Sequence, residues 1–466
     1  MKFTLPDDVF PPVRLSRKHQ GALIEEAETV VSETIAANEV FLAQGAQFHD
    51  SKWRLVRVKE GLHVYRQRRP HRARAGIRKR LGTDTEEETQ VSPSSVNDCS
   101  IQDSIRRPSV SLMVLHGTVD GTLDDSMFGA FAATDDAWKW RSSHVNDRLD
   151  DARILATIRG PTRSDPFRFL GIKWFAKEHP TILTGILQRR DFLIMEATGL
   201  TTDSKGEKIG YFLMHSVTLR GVPKLSELGI LRGELSFCFI LRQSGPGKVE
   251  LYCRGFSDPH GEMMERVSVA IASEALICSA GVVDYAYIKK LTWLMKHKSA
   301  QFLVHSGRET RPSHCESCSK SFTKFLLFAA SKQSSACQIC HRVVCTKCSV
   351  VKKMTVDVSD TGSVKQCALR FCLACLLEAK EKSAWEIALH SLETASKSSA
   401  GSSVGTPHKL YHGCDGRSYS EYQRVGTRVY RQGEMTTHFR VKPEQPSAVR
   451  SGNSRMSGRF QARRPV

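Results

Sequence analysis

The sequence lacks the features of a secreted, membrane-spanning or wholly disordered protein. Its first residues contain no run of about 7–15 apolar residues of the kind that a secretory signal carries, so we expect a cytoplasmic protein. The nearest thing to a membrane span, residues 267–283, is shorter than the ~20 residues that a bilayer requires, and it reads better as a buried helix. Apolar residues make up 40% of the chain, which is enough to bury a core.

Catalytic signatures are also missing from the sequence. No Ser-His-Asp arrangement, P-loop or dinucleotide-binding glycine motif stands out. His116 and His215 lie in strand patterns, and we interpret them as satisfied or exposed residues. Asp124 or Asp125 is placed to cap a helix rather than to form a carboxylate pair. We therefore expect the protein not to be an enzyme.

Acidic residues are too few to balance the basic ones: 49 Asp and Glu stand against 68 Lys and Arg, a formal charge of +19. Residues 66–80 hold eight basic side chains and no acidic one, within a predicted flexible insertion at 66–107. Residues 396–466 hold thirteen basic and four acidic side chains with frequent Ser and Gly, which predicts a disordered basic tail. Such segments attract anionic membrane surfaces, and nucleic acid would be attracted by the same charge.

The remaining N-terminal part of the chain predicts an α+β fold. Apolar spacing predicts a helix that starts near residue 17, and a Lys-Glu-Gly turn then joins two strands in a hairpin. Further strand patterns follow from residue 111 to residue 257, separated by turn residues. A long helix over 260–298 closes the unit, and Met264, Val267, Ile271, Ala275, Cys278 and Val282 predict its buried face. We expect this last helix to pack on a curved antiparallel sheet.

This order resembles the START-like, or helix-grip, lipid-transfer domains over about residues 10–300. The stretches that carry the resemblance are HGTVDGTLDD, RDFLIMEATG with IGYFLMHSV, and MMERVSVAIASEALICSAG. The resemblance implies a sterol, phospholipid or other apolar ligand held between the sheet and the helix. Periodicity alone leaves open the alternative that this interior is a filled core.

Cysteine is concentrated in one segment: nine of the fourteen cysteines lie between Cys315 and Cys375. Eight of them form four Cys-x-x-Cys pairs, which are Cys315/Cys318, Cys337/Cys340, Cys345/Cys348 and Cys372/Cys375. Each pair can supply half of a tetrahedral zinc site, so the sequence predicts two closed, structural zinc sites. Bound zinc would also supply the folding energy that so short a segment lacks.

The spacing resembles a FYVE zinc finger over about residues 310–380. The resemblance implies cross-braced sites, with Cys315, Cys318, Cys345 and Cys348 in one and Cys337, Cys340, Cys372 and Cys375 in the other. It also implies a membrane-inserting loop at Phe325, Leu326, Leu327 and Phe328, although these side chains could instead pack inside the finger. Family members bind phosphatidylinositol 3-phosphate through a Trp-x-x-Asp motif and a basic box. Here GRETRPSH and SSACQ stand in those places, so Arg370 is the one remaining candidate for a headgroup contact.

A second interpretation of the same cysteines is a RING-type ubiquitin ligase. Cys337, His341 and Cys345 fit RING spacing if Cys340 is skipped. Cys340 would then be left unexplained, and the finger lacks the Pro and Trp residues with which ligases commonly contact the conjugating enzyme. We therefore treat His341 and Cys367 as residues that bind no metal.

The sequence as a whole resembles the START-plus-FYVE proteins of oomycetes. This resemblance implies a non-enzymatic lipid-binding adaptor, peripheral on endosomal or other anionic membranes, whose finger could also contact other proteins. The alternative from a different class is a zinc-dependent interaction scaffold that binds no lipid.

Overall fold

The computed structural model describes residues 5–6, 8–68, 110–147, 149–177, 188–303, 312–322, 336–358 and 364–399. These residues belong to one compact unit, Met1–Leu410. Most of the predicted basic insertion and tail, together with the apolar loop at 325–328, lie outside the described residues.

Twelve strands are present in the described part of the chain. They are β1 (Trp53–Lys59), β2 (Leu62–Gln67), β3 (Met113–Asp120), β4 (Leu149–Arg159), β5 (Phe169–Lys177), β6 (Arg189–Thr202), β7 (Lys208–Ser216), β8 (Ile230–Arg232), β9 (Glu234–Gly245), β10 (Lys248–Asp258), β11 (Ser349–Val358) and β12 (Val364–Cys372). The α-helices are α1 (Arg17–Ala43), α2 (Leu123–Ala130), α3 (Asp135–Val145), α4 (Glu265–Ile277), α5 (Val282–Leu303), α6 (Leu373–Glu381) and α7 (Ala384–Ser399).

Ten of the strands form one sheet in the order β1-β2-β3-β10-β9-β7-β6-β5-β4, with β8 added in parallel to β6. The other neighbours along this order pair antiparallel. The α+β prediction of an antiparallel sheet with a long C-terminal helical segment is confirmed. We call β1–β10 with α1–α5 the grip domain.

The predicted hairpin forms between β1 and β2, where Lys59 pairs with Leu62 across a two-residue turn. Glu60 and Gly61 both adopt positive φ, 51° and 82°, as the tight hairpin turns that match the twist of a sheet require. A Cβ at position 61 would also lie 2.9 Å from the carbonyl oxygen of Thr118 on β3. This glycine therefore serves both the turn and the close approach of the neighbouring strand.

The sheet buries a different set of helices on each face. Helix α1 covers one face through Leu23, Ala27, Val30 and Val31. The other face carries the larger core, which includes side chains of α2–α5 packed on Phe192, Ile194, Phe237 and Phe239. Helices α2 and α5 cross so closely that a Cβ on Gly129 would stand 1.9 Å from the carbonyl oxygen of Val282. The second face is thus the one that packs against the C-terminal helices.

The C-terminal helical segment differs from the prediction in two ways. It is interrupted by a 3₁₀ turn, Cys278–Gly281, where the Cys278 thiol and the Ser279 hydroxyl contact carbonyls of the preceding turn. The predicted buried face was also wrong for α4 itself: Met264 is 75% exposed, and α4 buries Val269, Ala272, Ser273, Leu276 and Ile277, although Cys278 of the predicted face is buried. Apolar residues occur on several sides of α4 itself, so periodicity could not identify the side that packs on the sheet.

By length and composition, Glu265–Lys298 could cross a membrane, but core helices of soluble proteins pass the same test. Here the segment packs on the sheet, with Leu276, Ala286 and Leu291 essentially buried. This agrees with the sequence interpretation of a buried helix.

The cysteine-rich segment, which we call the finger, contains the hairpin of β11 and β12 followed by α6. Lys382 and Ser383 separate α6 from α7. Helix α7 extends to Ser399 and so includes the first four residues of the predicted tail, which starts at 396.

Candidate functional site

The first four-cysteine cluster brings together the first and third Cys-x-x-Cys pairs. The sulfur atoms of Cys315, Cys318, Cys345 and Cys348 all lie within 4.8 Å of one another. Those of Cys318 and Cys345 are 3.8 Å apart. Hydrogen bonds from Cys315 N–H to the Lys320 carbonyl and from Ser319 N–H to the Cys315 carbonyl shape the first turn.

The second four-cysteine cluster brings together the second and fourth pairs, Cys337 with Cys340 and Cys372 with Cys375. The sulfur atoms of Cys340 and Cys372 are 3.7 Å apart. Cys372 ends β12 and is the N-cap of α6, so strand and helix both fix its position. The structure therefore groups the eight cysteines in the cross-braced manner that the FYVE resemblance implied.

Both clusters have the donor geometry that zinc requires. Zn–S bonds of ~2.3 Å in a tetrahedron place sulfur atoms ~3.8 Å apart, which matches the separations found. Backbone N–H groups also point at sulfur, from Cys345 to Cys315 at 3.2 Å and from Cys375 to Cys372 at 3.4 Å. Burial raises the pKa of Cys315, but N–H donors outweigh this effect and lower it to about 6. Four sulfur ligands would leave zinc no open position, so such sites would be structural rather than catalytic.

The ligand set that the RING interpretation requires is not the set that the structure assembles. Cys340 lies in the second cluster, whereas His341 lies in neither.

Arg370 is half-buried on β12, and its Nη1 donates to the Ser349 hydroxyl at 2.7 Å. Ser349 in turn donates to the carbonyl oxygen of Cys345, so Arg370 helps to position the first cluster. Burial lowers the pKa of Arg370.

The finger packs directly on the grip domain through α3. The hydroxyl groups of Ser143 and Thr355 are 2.8 Å apart, and the Thr355 N–H donates to His144 Nε2 at 3.2 Å. The His144 ring stacks on Tyr285 of α5 with centroids 5.3 Å apart. Burial, assisted by the charge of Lys353, lowers the pKa of His144 to about 4. The neutral acceptor that this contact needs is therefore maintained at physiological pH.

A cluster of three charged side chains lies inside the grip domain, between the sheet and the helices. Arg141 of α3, Lys173 of β5 and Glu196 of β6 are 7%, 0% and 1% exposed. Arg141 donates to both carboxylate oxygens of Glu196 at 3.1 and 3.0 Å, and Lys173 donates to it at 2.7 Å. The two cations also donate to the carbonyl oxygens of Ala130 and Ala132, respectively. We call these three residues the charged cluster.

A further cation, Lys289 of α5, reaches the same end of α2. Its Nζ donates to the carbonyl oxygens of Phe128 at 2.6 Å and Phe131 at 3.3 Å, and lies 4.0 Å from the centroid of the Phe128 ring. Cations are favourable there, because the last carbonyls of a helix have no partner within the helix and carry partial negative charge. Three cations from three elements thus converge on the C-terminal end of α2.

Burial determines the protonation behaviour of these groups. Burial raises the pKa of Glu196, but Arg141 and Lys173 outweigh it and lower the pKa below its usual value. Burial lowers the pKa of Lys173 to about 8 against the opposing effect of Glu196. Part of Lys289 is exposed, but its ammonium group is enclosed, and this burial together with Arg141 lowers its pKa to about 7. The charged cluster together with Lys289 therefore carries more positive than negative charge at neutral pH.

Sequence reasoning did not identify the charged cluster. A weak signal was present, since Lys173 and Glu196 are lone charges within the otherwise apolar strand patterns FLGIKWFA and FLIMEATG. A lone charge in a buried strand needs a partner, but the sequence does not say which one. Arg141 comes from a polar helix that gave no such signal.

The polar groups first considered for catalysis have structural partners. Thr122, not an aspartate, is the N-cap of α2, and Asp125 forms an ion pair with Lys290 at 2.5 Å. His116 contacts Glu250 at 2.7 Å.

His215 lies between the Ser236 hydroxyl, 2.7 Å from its Nδ1, and Glu26, 3.1 Å from its Nε2. This arrangement resembles a catalytic triad, but Ser236 is 0% exposed and a substrate could not reach it. The bridge instead ties α1 to the sheet.

Comparison with solved structures finds START-related lipid-transfer proteins. Human STARD10 has a TM-score of 0.32 and 13% identity, over 58% of this chain and 86% of that chain. Human StAR-related lipid transfer protein 5 has a TM-score of 0.35 and 14% identity, over 57% of this chain and 97% of that chain. A STAR-related lipid transfer protein fragment from Xanthomonas axonopodis has a TM-score of 0.29 and 10% identity, over 50% and 98%. No protein-family model and no curated protein matches the sequence. Likenesses this distant carry no argument about function, which has to be inferred from the chain itself.

Proposed function

We propose that the protein is a non-enzymatic lipid-binding adaptor with a structural two-zinc finger. The grip domain holds an apolar ligand between the sheet and helices α2–α5, and the polar end of that ligand reaches the charged cluster. The cysteine clusters hold two zinc ions in a finger of FYVE type. The protein works in the cytoplasm, peripherally on endosomal or other anionic membranes.

The observation that carries the lipid proposal is the burial of the charged cluster among apolar side chains between the sheet and helices α2–α5. Two cations and one carboxylate are almost fully enclosed there, with Lys289 adding a third cation close by. Buried charge costs free energy to maintain, and buried groups with strongly shifted pKa values cluster at the functional sites of proteins. An otherwise apolar ligand with one polar or anionic end fits this distribution.

The membrane proposal rests on charge rather than on a headgroup pocket. The finger exposes the basic side chains of Arg342, Lys347, Lys352, Lys353 and Lys365. Basic side chains near an anionic bilayer contribute about 1 kcal/mol each. Arg370 is engaged with Ser349, which argues against its acting alone as a headgroup receptor. Nucleic acid would be drawn by the same charge and serves as the competing ligand in binding tests.

Two experiments test this function. Zinc-loaded protein is incubated with mixed phospholipid and sterol vesicles, re-isolated and extracted for mass spectrometry, and we expect one lipid class to be enriched. Recovery of no lipid would contradict the lipid proposal.

Vesicle flotation with and without phosphatidylinositol 3-phosphate, at low and high salt, tests membrane binding. We expect salt-sensitive binding to any anionic vesicle, and absence of binding would contradict the membrane proposal.

A protein-interaction scaffold that binds no lipid is the second candidate function. It is favoured by two exposed leucines one turn apart on α6, Leu373 at 43% and Leu377 at 59% exposure. An apolar ridge of this kind on a zinc-stabilised finger suits contact with another protein. Finding no lipid in the extraction experiment, together with two bound zinc ions, would favour this candidate.

A further inference from the structure

Helix α7 belongs to the interior of the grip domain although the finger separates it from α5 in sequence. Ala384, Ile387 and Ala388 are 3%, 3% and 7% exposed and join the core on the second face of the sheet. Helix α7 contacts both α2 and α5. The grip domain is therefore completed by a helix that the chain adds only after the finger.

A chain of aromatic contacts leads from α7 to the buried cations. Trp385 meets Phe167 edge-on, with ring centroids 5.7 Å apart, and Phe167 lies 6.3 Å from Phe128. The Phe128 ring lies beneath the ammonium group of Lys289. Phe167 is fully buried although it belongs to the loop before β5. Helix α7 thus covers the end of the interior from which this path starts.

Helix α7 also packs on α5 through His390, whose ring lies edge-on to Trp293 and His297 with centroids 5.8 and 4.9 Å apart. Other contacts of α7 lie close to solvent. The Lys208 ammonium lies 4.8 Å from the Trp385 ring centroid. Arg163 and Glu393 form an ion pair at 3.2 Å in which both side chains are largely exposed, and such pairs contribute little. Two of the three buried residues are alanines, which bury little apolar area. Helix α7 is consequently held by fewer buried side chains than the strands of the sheet.

The second cysteine cluster lies close to α7 along the chain. Cys372 and Cys375 lie at the start of α6, and only Lys382 and Ser383 separate α6 from α7. Helix α6 is fixed on α5 by the ion pair of Glu378 with Lys298 at 2.6 Å. Movement of the second cysteine cluster would be transmitted to α7 through α6 and the two-residue connection that follows it.

We propose that α7 is a hinged cover over the interior of the grip domain and that the second cysteine cluster keeps it closed. The identity of the ligand as a lipid rests on the proposed function, whereas the role of α7 as a cover does not depend on it. Ligand passes at the α7 end, next to Phe167 and the loop before β5. Displacing the finger, or removing metal from Cys337, Cys340, Cys372 and Cys375, opens this end.

Hydrogen exchange on the full chain tests the cover without reference to lipid. We expect amides of residues 384–394 to exchange roughly tenfold faster or more after a chelator removes zinc, while β6, β7 and β9 keep their protection. Unchanged exchange in α7 would overturn the link to the cluster. Equal loss of protection in α7 and in the strands would also overturn it, because α7 would then open only with the whole domain.

A pair of matched variants tests access to the interior. Ala388→Glu places a charge in the buried interface, and Ser391→Glu places the same charge on the exposed side of α7. We expect Ala388→Glu to raise the fluorescence of 8-anilinonaphthalene-1-sulfonate several-fold with zinc content unchanged, and Ser391→Glu to match the wild type. Equal fluorescence in all three proteins would overturn the cover. If Ala388→Glu binds the dye but takes up no lipid from vesicles, the cover stands and the lipid proposal fails.

Discussion

The indole ring of Trp385 meets the ring of Phe167 edge-on at 5.7 Å, joining the helix after the finger to a fully buried residue of the grip domain. Helix α7 and the grip domain are therefore parts of one packed body. In the proposed account, this contact links α7, and through it the finger, to access to the grip interior.

Trp385→Ala removes the largest side chain of that contact. Trp385 is only partly buried, so we expect a loss of about 1–3 kcal/mol in the free energy of unfolding. Ser391→Ala is the control, because Ser391 is exposed and its hydroxyl donates only to the Ile387 carbonyl of the same helix; it should change stability by less than about 0.5 kcal/mol. Urea unfolding curves of both variants provide the comparison. Equal stabilities for the two variants would show that α7 is not packed as described.

Glu196→Gln removes the carboxylate on which Arg141 and Lys173 converge. Both cations then remain buried without their counter-charge, so we expect a loss of about 3–5 kcal/mol in stability. Glu207→Gln breaks an exposed pair with Arg242 and should cost at most about 1 kcal/mol. Chemical denaturation of the two variants measures the difference. A cost for Glu196→Gln no larger than that of the control would mean that the charged cluster is not enclosed.

His144 predicts a pH dependence of stability at the junction of finger and grip domain. Its folded pKa of about 4 lies below its usual value of 6.5, so the unfolded chain binds a proton between these values that the folded chain does not. Stability from this group is present above pH 6.5 and is lost as the pH falls toward 4. His144→Gln should flatten that loss, by on the order of 1 kcal/mol. Melting temperatures of wild type and variant, measured between pH 7 and 4.5, give the difference in stability at each pH. The cysteines titrate in both proteins, so their effect cancels in this difference. Parallel plots of melting temperature against pH would refute the lowered pKa of His144.

Cysteine variants test the grouping of the ligands. Cys372→Ser should lose one of two zinc ions, since it removes a ligand of the second cluster only. Cys367→Ser should retain both ions, because Cys367 lies in neither cluster. Zinc content per chain, measured by elemental analysis, shows which cysteines act as ligands. Loss of zinc from Cys367→Ser, or full content in Cys372→Ser, would contradict the proposed ligand sets.

The sequence predicted those parts of the fold that local pattern determines. Alternating apolar residues predicted the strands, and Glu60-Gly61 predicted the first hairpin. Cysteine spacing predicted paired ligands, because two residues between thiols form one tight turn. These features depend on residues close together in the chain.

Features that depend on distant partners could not be predicted in the same way. The buried side of α4 was misassigned in part, since Met264 and Val269 are both apolar but only Val269 is buried. The charged cluster needs Arg141, Lys173 and Glu196 from three elements, and only the sheet brings them together. Helix α7 gave an ordinary helical pattern, and nothing local indicated that it returns to the grip domain.

Native mass spectrometry of the full-length protein, purified with zinc and exposed to mixed vesicles, tests the central claim most directly because it counts metal and lipid on the same molecule. The account predicts a main species that carries two zinc ions and one lipid molecule. A protein that carries two zinc ions and never a lipid would contradict the lipid-binding function, and one that carries no zinc would contradict the metal centres as well.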